Sequence, residues 1–401
     1  MTIRSPTRFA AIVSFTVGLC AIIRGDPLDH WTIRQPENAF GGNFSSIAYG
    51  SGTFVATASD GGDDGWLGYS ADGLHWKSAK CAADSCVPPA LFGTAFANGR
   101  FVAVGNYGWT YTSTTGVDWR LNVVPPSDSL LWDVCYAESN FVAVGGMDSC
   151  PCGFVAVSPD GEQWSPNYVD GILSLRAVAY GSGILVAVGT SEFGVTPTRF
   201  DIFSTTNPLT PWTAHAAATT NDLFGVAYGN NLFVAAGEEH YSGQGCVLTS
   251  ADGNGWSRRR LPETNALRSV SWIGGLFIAT GKSGALLIST NGIDWRVRAS
   301  GTPNSLGRSV YGKGAVWIAD AEGTLLESDP LLSLRIAVGQ QPELTVFGLE
   351  GRACRIEATS DLGASDWSEV GNFILYSSPT IWRDGITPVP KARLYRAMLL
   401  P

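Results

Sequence analysis

Short apolar runs separated by turn residues recur along most of the chain. In the first clear unit two runs occupy residues 47–50 and 54–56, a third ends near Ser70, and a further segment begins at Trp76. Runs of roughly four to eight residues bounded by Gly, Ser and Asp are typical of strands, and long stretches with the 3.6-residue period of a helix are missing. Each repeat therefore predicts four strands, which we call A to D in chain order.

The tryptophans that close the repeats set the length of one unit. They stand at positions 76, 119, 164, 212, 256 and 295, so the gaps are 43, 45, 48, 44 and 39 residues. Such gaps suit four short strands with their turns, and sheets arranged around an axis can bury both faces of every sheet. The pattern predicts an all-β chain whose main part, residues 26–330, is a seven-bladed β-propeller of four-stranded blades.

The seventh repeat lacks its own tryptophan segment. It begins near residue 308 and stops at Ser328, whereas an isolated segment of the same kind, around Trp31, precedes the first repeat. We predict that residues 31–35 form the outer strand of the blade made by residues 308–328. This N-terminal strand closure would join the two ends of the ring and cover an exposed sheet edge.

The turn between strands C and D carries a recurring motif, Ser-x-Asp-Gly-x-x-Trp. The clearest copies use Ser70, Asp72 and Trp76, then Ser158, Asp160 and Trp164, then Ser250, Asp252 and Trp256. These turns resemble the Asp boxes (BNR-like repeats) of the sialidase-like and photosystem-assembly-factor-like propellers, and the resemblance covers roughly residues 30–328.

The resemblance implies a structural role for the motif. In such turns the Ser and Asp side chains bond nearby backbone N–H groups, and the Trp packs between blades. Thr115 and Asn291 replace the Asp in two copies, which a role in the fold tolerates better than a role in catalysis. Sialidase activity is not implied, because only Arg34 faintly matches the three arginines and the Tyr–Glu pair that sialidases need.

The composition argues against a nucleic-acid-binding protein, and the first residues resemble an export signal. The formal net charge of −9 argues against a nucleic-acid partner, since phosphate binding needs a basic surface. Arg4 and Arg8 precede an apolar run, residues 9–23, which is short for a membrane span of about 20 residues. We predict that residues 1–25 are an export signal, that the protein is secreted or periplasmic, and that no later segment spans a membrane; Cys20 resembles a lipoprotein site only loosely.

Loss of that signal would leave an odd number of cysteines. Cys81 and Cys86 share one polar loop and are the best candidates for a disulfide, whereas Cys150 and Cys152 are too close together to bridge each other easily. The second pair could bond to another loop, take part in redox chemistry or bind a metal. Cys135, at a small-residue position of strand A, is interpreted as a buried apolar side chain.

Residues 331–401 break the repeat. Alternating runs at 334–338, 343–346, 354–357 and 394–397 predict strands, so we expect a small C-terminal β-sandwich-like domain. It resembles small β domains appended to exported bacterial proteins and implies no chemistry of its own.

Candidate binding residues are expected on the face that carries the B–C and D–A loops. Aromatic rings and charges there could stack on sugars or hold a peptide. The candidates at the start of strand A are Phe92, Trp132, Arg176, Phe224 and Arg268, and those of one B–C loop are Glu238, Glu239, His240 and Tyr241. From sequence alone the simpler interpretation is favoured, in which the acidic loops keep the surface soluble and the aromatics plug the channel.

One loop could hold calcium. Asp60, Asp63 and Asp64 lie within five residues among glycines, and calcium accepts such flexible oxygen-rich loops. The ordered ligand spacing of a known calcium loop is missing, so no cofactor is expected and calcium is kept only as an alternative.

Two functions follow from this reading. The first is a non-catalytic exported scaffold that presents loops to a protein, peptide or glycan. The alternative is a carbohydrate-active hydrolase or lyase, which needs carboxylates roughly 5–10 Å apart in one cleft. Convergence of Glu238 or Glu239 with Asp60, Asp63, Asp148 or Glu192 would favour the enzyme.

Overall fold

The structure, a computed structural model, consists almost entirely of strands. It describes residues 9–12, 26–37, 43–59, 64–81, 88–147, 149, 152–190, 201–215, 221–240, 242–262, 264–337, 342–359, 367–385 and 394–400. Within these ranges there is no α-helix, only short 3₁₀ turns at Pro27–Asp29, Asn106–Gly108 and Lys282–Gly284, and no helix long and apolar enough to cross a membrane. The prediction of an all-β chain is confirmed.

The strands are numbered in chain order. The first eighteen are β1 (Phe9–Ile12), β2 (Trp31–Arg34), β3 (Asn43–Gly50), β4 (Thr53–Ser59), β5 (Gly65–Ser70), β6 (Lys77–Ser78), β7 (Lys80–Cys81), β8 (Leu91–Ala97), β9 (Arg100–Gly105), β10 (Trp109–Ser113), β11 (Asp118–Val123), β12 (Ser129–Ala137), β13 (Asn140–Met147), β14 (Gly153–Ser158), β15 (Ser165–Val169), β16 (Ser174–Gly181), β17 (Ile184–Thr190) and β18 (Ile202–Thr205). The others are β19 (Thr213–His215), β20 (Asn221–Gly229), β21 (Leu232–Glu239), β22 (Gly245–Ser250), β23 (Ser257–Arg259), β24 (Leu267–Ile273), β25 (Leu276–Gly281), β26 (Leu286–Ser289), β27 (Arg296–Val297), β28 (Leu306–Gly312), β29 (Ala315–Asp320), β30 (Leu325–Ser328), β31 (Leu332–Ala337), β32 (Glu343–Gly348), β33 (Ala353–Thr359), β34 (Ser368–Ile374), β35 (Thr380–Arg383) and β36 (Leu394–Leu399).

Most strands belong to sheets formed by consecutive pieces of chain. In order, sheet 1 is β3-β4-β5-β6, sheet 2 is β8-β9-β10-β11 with β7 added beside β11, sheet 3 is β12 to β15, sheet 4 is β16 to β19, sheet 5 is β20 to β23, sheet 6 is β24 to β27, and sheet 7 is β28-β29-β30-β2. The pairings within sheets 1 to 6 are antiparallel, except that β7 runs parallel to β11. The one strand taken from elsewhere in the sequence is β2, which lies beside β30 where residues 31–35 were predicted to lie.

Compact units divide the chain differently from the repeats. Residues 33–313 with 317–326 form the larger unit, and the remaining described residues form the smaller one. In the larger unit each sheet's first strand contacts the first strand of the next sheet, and β28 contacts β3. These first strands are β3, β8, β12, β16, β20, β24 and β28, and we call them the inner strands.

Apolar side chains fill the space between successive sheets. Val55 and Leu67 of sheet 1 pack with Phe101 and Trp119 of sheet 2, and equivalent clusters join sheets 2 to 3, 3 to 4, 4 to 5 and 5 to 6. Because both faces of a sheet are covered, middle strands such as β14 are buried at every position instead of alternating. This explains the continuous apolar runs of the sequence.

An aromatic ring lies against a glycine where neighbouring inner strands end. A Cβ atom added to Gly181 would lie 2.0 Å from the Tyr228 ring, and one added to Gly229 would lie 2.0 Å from Trp272. The same relation holds between sheets 7 and 1, where a Cβ on Gly312 would lie 2.9 Å from the Tyr49 ring and 2.5 Å from Phe54 of β4. The recurring aromatic-Gly ending of strand A is therefore a packing requirement between sheets.

The Ser-x-Asp-Gly turns share one set of hydrogen bonds. In the first copy Ser70 Oγ accepts from Gly73 N at 2.9 Å, and Asp72 Oδ1 accepts from Leu74 N at 2.8 Å. The indole Nε1 of Trp76 then donates to Gly73 O at 2.9 Å, and Gly73 has a φ of 81°, which favours glycine. Corresponding bonds recur around Asp160, Asp252 and Asn291.

The turn in sheet 4, which looks degenerate in sequence, uses the same chemistry with other residues. Thr205 Oγ1 accepts from Asn207 N at 3.1 Å, and Asn207 Oδ1 accepts from Leu209 N at 3.0 Å. Trp212 Nε1 donates to Pro208 O at 3.4 Å, so proline stands where the other copies have glycine.

These hydrogen bonds predict a specific acid sensitivity. Backbone N–H groups of Asn254 and Gly255 lower the pKa of the Asp252 carboxyl from 3.8 to about 2. A carboxyl whose pKa is depressed by folding stabilises the protein above its unfolded pKa, and this contribution is lost as the pH falls from about 4 towards 2. The Asp252→Asn variant should match the parent at pH 7, because Asn291 already serves in an equivalent turn.

Urea unfolding of the parent and the Asp252→Asn variant at pH 7 and near pH 2 measures this difference. The parent should lose more of its unfolding free energy on acidification than the variant does. Equal losses in both proteins would contradict the assignment.

Two small sheets make up the rest of the smaller unit. Their strand orders are β1-β36-β33-β34 and β31-β32-β35. Buried side chains from these strands include Leu344, Ile356 and Tyr395, and the Tyr395 hydroxyl bonds to Asp384 at 2.7 Å. Strand β1 lies inside the predicted export signal and pairs with β36 along one edge of its sheet.

Three cysteines among the described residues are free thiols. Burial raises the pKa of Cys246 and of Cys354 to about 12, and it also raises the pKa of Cys135, which is partly exposed. Such thiols are inert at neutral pH. Cys152 is disulfide-bonded, and its partner sulfur lies outside the described residues, as do Cys86 and the Cys81 side chain, so the Cys81–Cys86 bridge stays a prediction.

Candidate functional site

A bulge near the start of the inner strands positions the candidate binding residues. In six inner strands the pairing with the second strand slips by one residue at the same place. The extra residue there is Ser45, Phe92, Trp132, Arg176, Phe224 or Arg268. Bulges re-aim side chains, and here these side chains line one cavity.

The cavity lies at the end of the ring where the inner strands begin. It has a volume of about 170 Å³, and all seven inner strands contribute to its lining. We call it the channel mouth and define it by the six bulge residues together with Asp133 and Arg308.

One side of the channel mouth is a stack of three planar groups. The rings of Phe92 and Trp132 lie 4.2 Å apart at 26°, and the guanidinium of Arg176 lies 4.0 Å from the centre of the Trp132 ring. Neighbouring sheets supply the three groups, so each bulge places its side chain over the previous one. A cation above an indole face is attracted by the ring's negative face.

The opposite side holds a second cation over an aromatic ring. The guanidinium of Arg268 lies 4.1 Å from the centre of the Phe224 ring, and its Nη1 lies 3.5 Å from a carboxylate oxygen of Glu238. Glu238 also accepts from Lys282 Nζ at 3.1 Å. This carboxylate is therefore held between two cations.

Arg176 differs from Arg268 in its ionic partners. Burial is the largest effect on Arg176 and lowers the pKa of its guanidinium, the charge of Arg268 lowers it further, and Asp222 opposes both. Within the described chain Arg176 forms no ion pair, and neither its Nε nor the Nε1 of Trp132 has a hydrogen-bond partner, although both atoms are buried. The lining of the channel mouth thus contains two buried hydrogen-bond donors without partners in the described chain.

An ion pair crosses the ring below these residues. Arg308 Nη2 of sheet 7 lies 2.7 Å from Asp133 Oδ1 of sheet 3. Asp133 is 3% exposed and also accepts from the backbone N–H groups of Val134 at 2.8 Å and Val178 at 3.1 Å. Arg308 lines both the channel mouth and a further cavity of about 300 Å³ between the inner strands.

The described residues of the predicted B–C loop are held by partners of their own. Glu239 pairs with Arg258 and accepts from Ser242 Oγ, and His240 Nδ1 lies 2.9 Å from Asp222 Oδ2. Glu238 of this loop reaches Arg268 of the channel mouth. Tyr241 lies outside the described residues.

The structure does not test the prediction of a calcium site at Asp60, Asp63 and Asp64. Asp60 and Asp63 lie outside the described residues, and Asp64 is exposed and bridges to Pro89 in the backbone. No group of three or more metal-ligating side chains occurs in the part of the chain that is described. Asp148 and Glu192, with which an enzymatic pair was considered, also lie outside it.

Sequence reasoning missed two features, one in the channel mouth and one in a separate cavity. Asp133 follows the bulge residue Trp132, and Arg308 stands at the corresponding position of the seventh repeat, so aligning the repeats would have grouped the two residues. The run Arg258-Arg259-Arg260 was not singled out, yet it lines a second and larger cavity.

Comparison with known proteins identifies the fold. No family model and no curated protein matches the chain. Among solved structures it is similar to YCF48 bound to D1 peptide, with a TM-score of 0.56 and 15% identity over 77% of this chain and 98% of that chain. It is also similar to an inactive virginiamycin B lyase from Staphylococcus aureus with quinupristin (TM-score 0.59, 10% identity, 75% and 99% covered) and to the WD40 β-propeller domain of Doa1 (0.53, 8%, 75% and 96%). At these identities the likeness shows the fold alone, and the fold is a β-propeller.

Proposed function

We propose that this chain is a seven-bladed β-propeller with Asp-box turns that binds a peptide or a segment of another protein at the channel mouth without catalysing a reaction. Sheets 1 to 7 are its blades, β2 closes the ring, and residues 331–401 form an accessory β domain. The contact between β28 and β3 supports seven as the number of blades. The recurring bonds of the Ser-x-Asp-Gly turns support the Asp-box assignment.

The stack of Phe92, Trp132 and Arg176 carries this proposal. A stacked ring and guanidinium offer a flat surface to planar groups, which in a peptide are the amide bonds and aromatic side chains. The bound peptide's carbonyl or carboxylate oxygens would accept from Arg176, whose Nε has no partner within the described chain. A buried donor left unsatisfied costs about 1–3 kcal/mol, and a ligand oxygen that satisfies it recovers that energy.

The structural neighbours support a binding role at the level of the fold. YCF48 is a propeller solved with a peptide, and virginiamycin B lyase is a propeller solved with quinupristin. Fold does not fix function, so the residues decide between binding and catalysis. Asp133 of the channel mouth pairs with Arg308, and Glu238 beside it lies between two cations. This arrangement suits a binding surface better than a carbohydrate-active hydrolase or lyase.

Replacing Trp132 by alanine tests the proposal. A peptide array probed with the full chain gives the tightest peptide, and its dissociation constant is then measured by calorimetry for the parent and Trp132→Ala. Loss of one stacking platform should weaken binding about tenfold, since buried aromatic anchors carry much of the energy of an interface. The matched control is Tyr168→Ala, which removes an aromatic ring that is 49% exposed on an outer strand.

Unchanged affinity in Trp132→Ala would place the ligand elsewhere. Equal losses in both variants would mean that the array reports adhesion to exposed rings, and turnover of any array component would favour the enzyme.

We also propose that residues 1–25 are an export signal and that the mature chain is secreted or periplasmic. The basic start and the apolar run support this assignment. Removal of the signal takes β1 with it and leaves β36 as an edge strand of its sheet. N-terminal sequencing of the chain recovered outside the cytoplasm tests the cleavage, and a chain that still begins at Met1 would contradict it.

A further inference from the structure

Three consecutive arginines line a large cavity at the outer edge of blade 5. The cavity has a volume of about 610 Å³ and is lined by Gln244, Gly245, Arg258, Arg259, Arg260, Leu261, Pro262 and Thr264. We call it the rim pocket. It shares no lining residue with the channel mouth.

The rim pocket concentrates positive charge in an acidic chain. Between Trp256 and Leu267 the sequence carries three arginines and one acid, Glu263, whereas the whole chain has a formal net charge of −9. Two other exposed arginines are neutralised by acids, since Arg120 pairs with Glu162 at 2.9 Å and Arg383 pairs with Glu343 at 2.8 Å. A local excess of positive charge attracts anionic ligands.

Only one of the three arginines has an acidic partner in the described chain. Arg258 pairs with Glu239, whereas Arg259 Nε donates to Thr249 Oγ1 at 2.7 Å. Arg260 is exposed and has no hydrogen-bond or ion-pair partner among the described residues. The neutral bond of Arg259 fixes the orientation of its side chain without neutralising its charge, which prepares it for an anion.

The wall of the pocket is rigid and partly apolar. Strand β23 pairs with β22, and Gly245 N donates to Thr264 O at 3.1 Å, so both sides of the pocket are tied to the same sheet. Leu261 and Pro262 follow the arginines directly and add apolar surface. Aliphatic surface beside hydrogen-bonding cations is suited to a sugar ring that bears an acidic group.

We propose that the rim pocket binds an acidic polysaccharide. Arg259 and Arg260 hold carboxylate or sulfate groups of successive sugars, and Leu261 and Pro262 contact a ring between them. A single chain with widely spaced charges suits this surface, whereas duplex DNA carries one negative charge per about 1.7 Å and would be repelled by the acidic remainder of the propeller. The site is independent of peptide binding at the channel mouth.

The test compares two doubly substituted full-length chains. Arg259→Gln/Arg260→Gln removes the two lining charges that have no acidic partner in the described chain, and Arg120→Gln/Arg383→Gln removes two exposed, ion-paired charges elsewhere. Both variants therefore have the same net charge. The probes are polygalacturonate and heparin oligosaccharides, a neutral glucan oligosaccharide, and a short DNA duplex, all at about 0.15 M salt. Calorimetry or interferometry gives the dissociation constants.

We expect one or both acidic oligosaccharides to bind the parent and the control alike, and to bind Arg259→Gln/Arg260→Gln about tenfold more weakly, because two charge-assisted hydrogen bonds are lost. Tighter binding of polygalacturonate would show that the pocket prefers carboxylate groups, and tighter binding of heparin would show that it prefers sulfate groups. Equal losses in both variants, binding of the neutral glucan, DNA binding as tight as that of the acidic sugars, or no binding at all would each overturn the proposal.

Discussion

Replacing Gly229 by alanine is expected to destabilise the propeller by about 3 kcal/mol, at the upper end of what overpacking usually costs. The added Cβ would lie 2.0 Å from the Trp272 ring of the next blade, well inside the contact distance of two carbon atoms. Trp272 cannot simply turn away, because its ring centre lies 4.5 Å from that of Phe277. The free energy of unfolding in urea measures the effect.

Gly255→Ala is the matched control. Its Cβ would meet nothing within 4 Å, and its φ is not in the left-handed region, so the change should cost little. Gly312→Ala extends the test to the junction of sheets 7 and 1, where the added Cβ would lie 2.5 Å from Phe54. If Gly229→Ala and Gly255→Ala unfolded at the same urea concentration, the close approach of neighbouring blades would be wrong.

The Asp133→Ala substitution is expected to cost about 3 kcal/mol of stability. It leaves Arg308 without the carboxylate that now lies 2.7 Å away, and it removes the acceptor of the backbone N–H groups of Val134 and Val178. Removing one partner of a buried pair is costly because the other charge remains desolvated. The 30% exposure of the Arg308 side chain keeps the estimate at the lower end of such losses.

A double-mutant cycle measures the coupling directly. Urea unfolding of Asp133→Ala, Arg308→Met and the double variant should give a double variant that is less destabilised than the sum of the two singles. The control is the exposed ion pair between Glu343 and Arg383. Glu343→Ala breaks this pair and should cost less than about 1 kcal/mol of stability. Additive losses at Asp133 and Arg308 would show that the pair does not act across the ring.

Much of the fold could be predicted because its rules are local and repeated. The spacing of Trp76, Trp119 and Trp164 gives the length of a repeat, and each apolar run is short enough to be a strand. The outer strand of the last sheet was found by the same logic, since the Trp31 segment is the piece that the seventh repeat lacks. Its position beside β30 agrees with that prediction.

The candidate site was predictable only in part. The bulge residues Trp132, Arg176, Phe224 and Arg268 share a repeat position, so the sequence could group them. Stacking of Arg176 on Trp132, and the neutralisation of Glu238 by Arg268 and Lys282, depend on distances between different blades. From the sequence, Glu238 and Glu239 were candidate acids for catalysis. In the structure both carboxylates are paired with cations, which suits them less to that role.

The repeat, the four strands of each unit and the strand that completes the last sheet can be predicted from the amino-acid order, because they depend on periodicity and on hydrogen bonds within a few residues. Which side chains meet across the ring is seen only in the folded chain. Asp133 and Arg308 are 175 residues apart in sequence and form an ion pair in the structure. Whether each of the three arginines that line the rim pocket is neutralised depends on its distance from the nearest carboxylate. Charges act through distance, and distances between blades are fixed only when the ring is assembled.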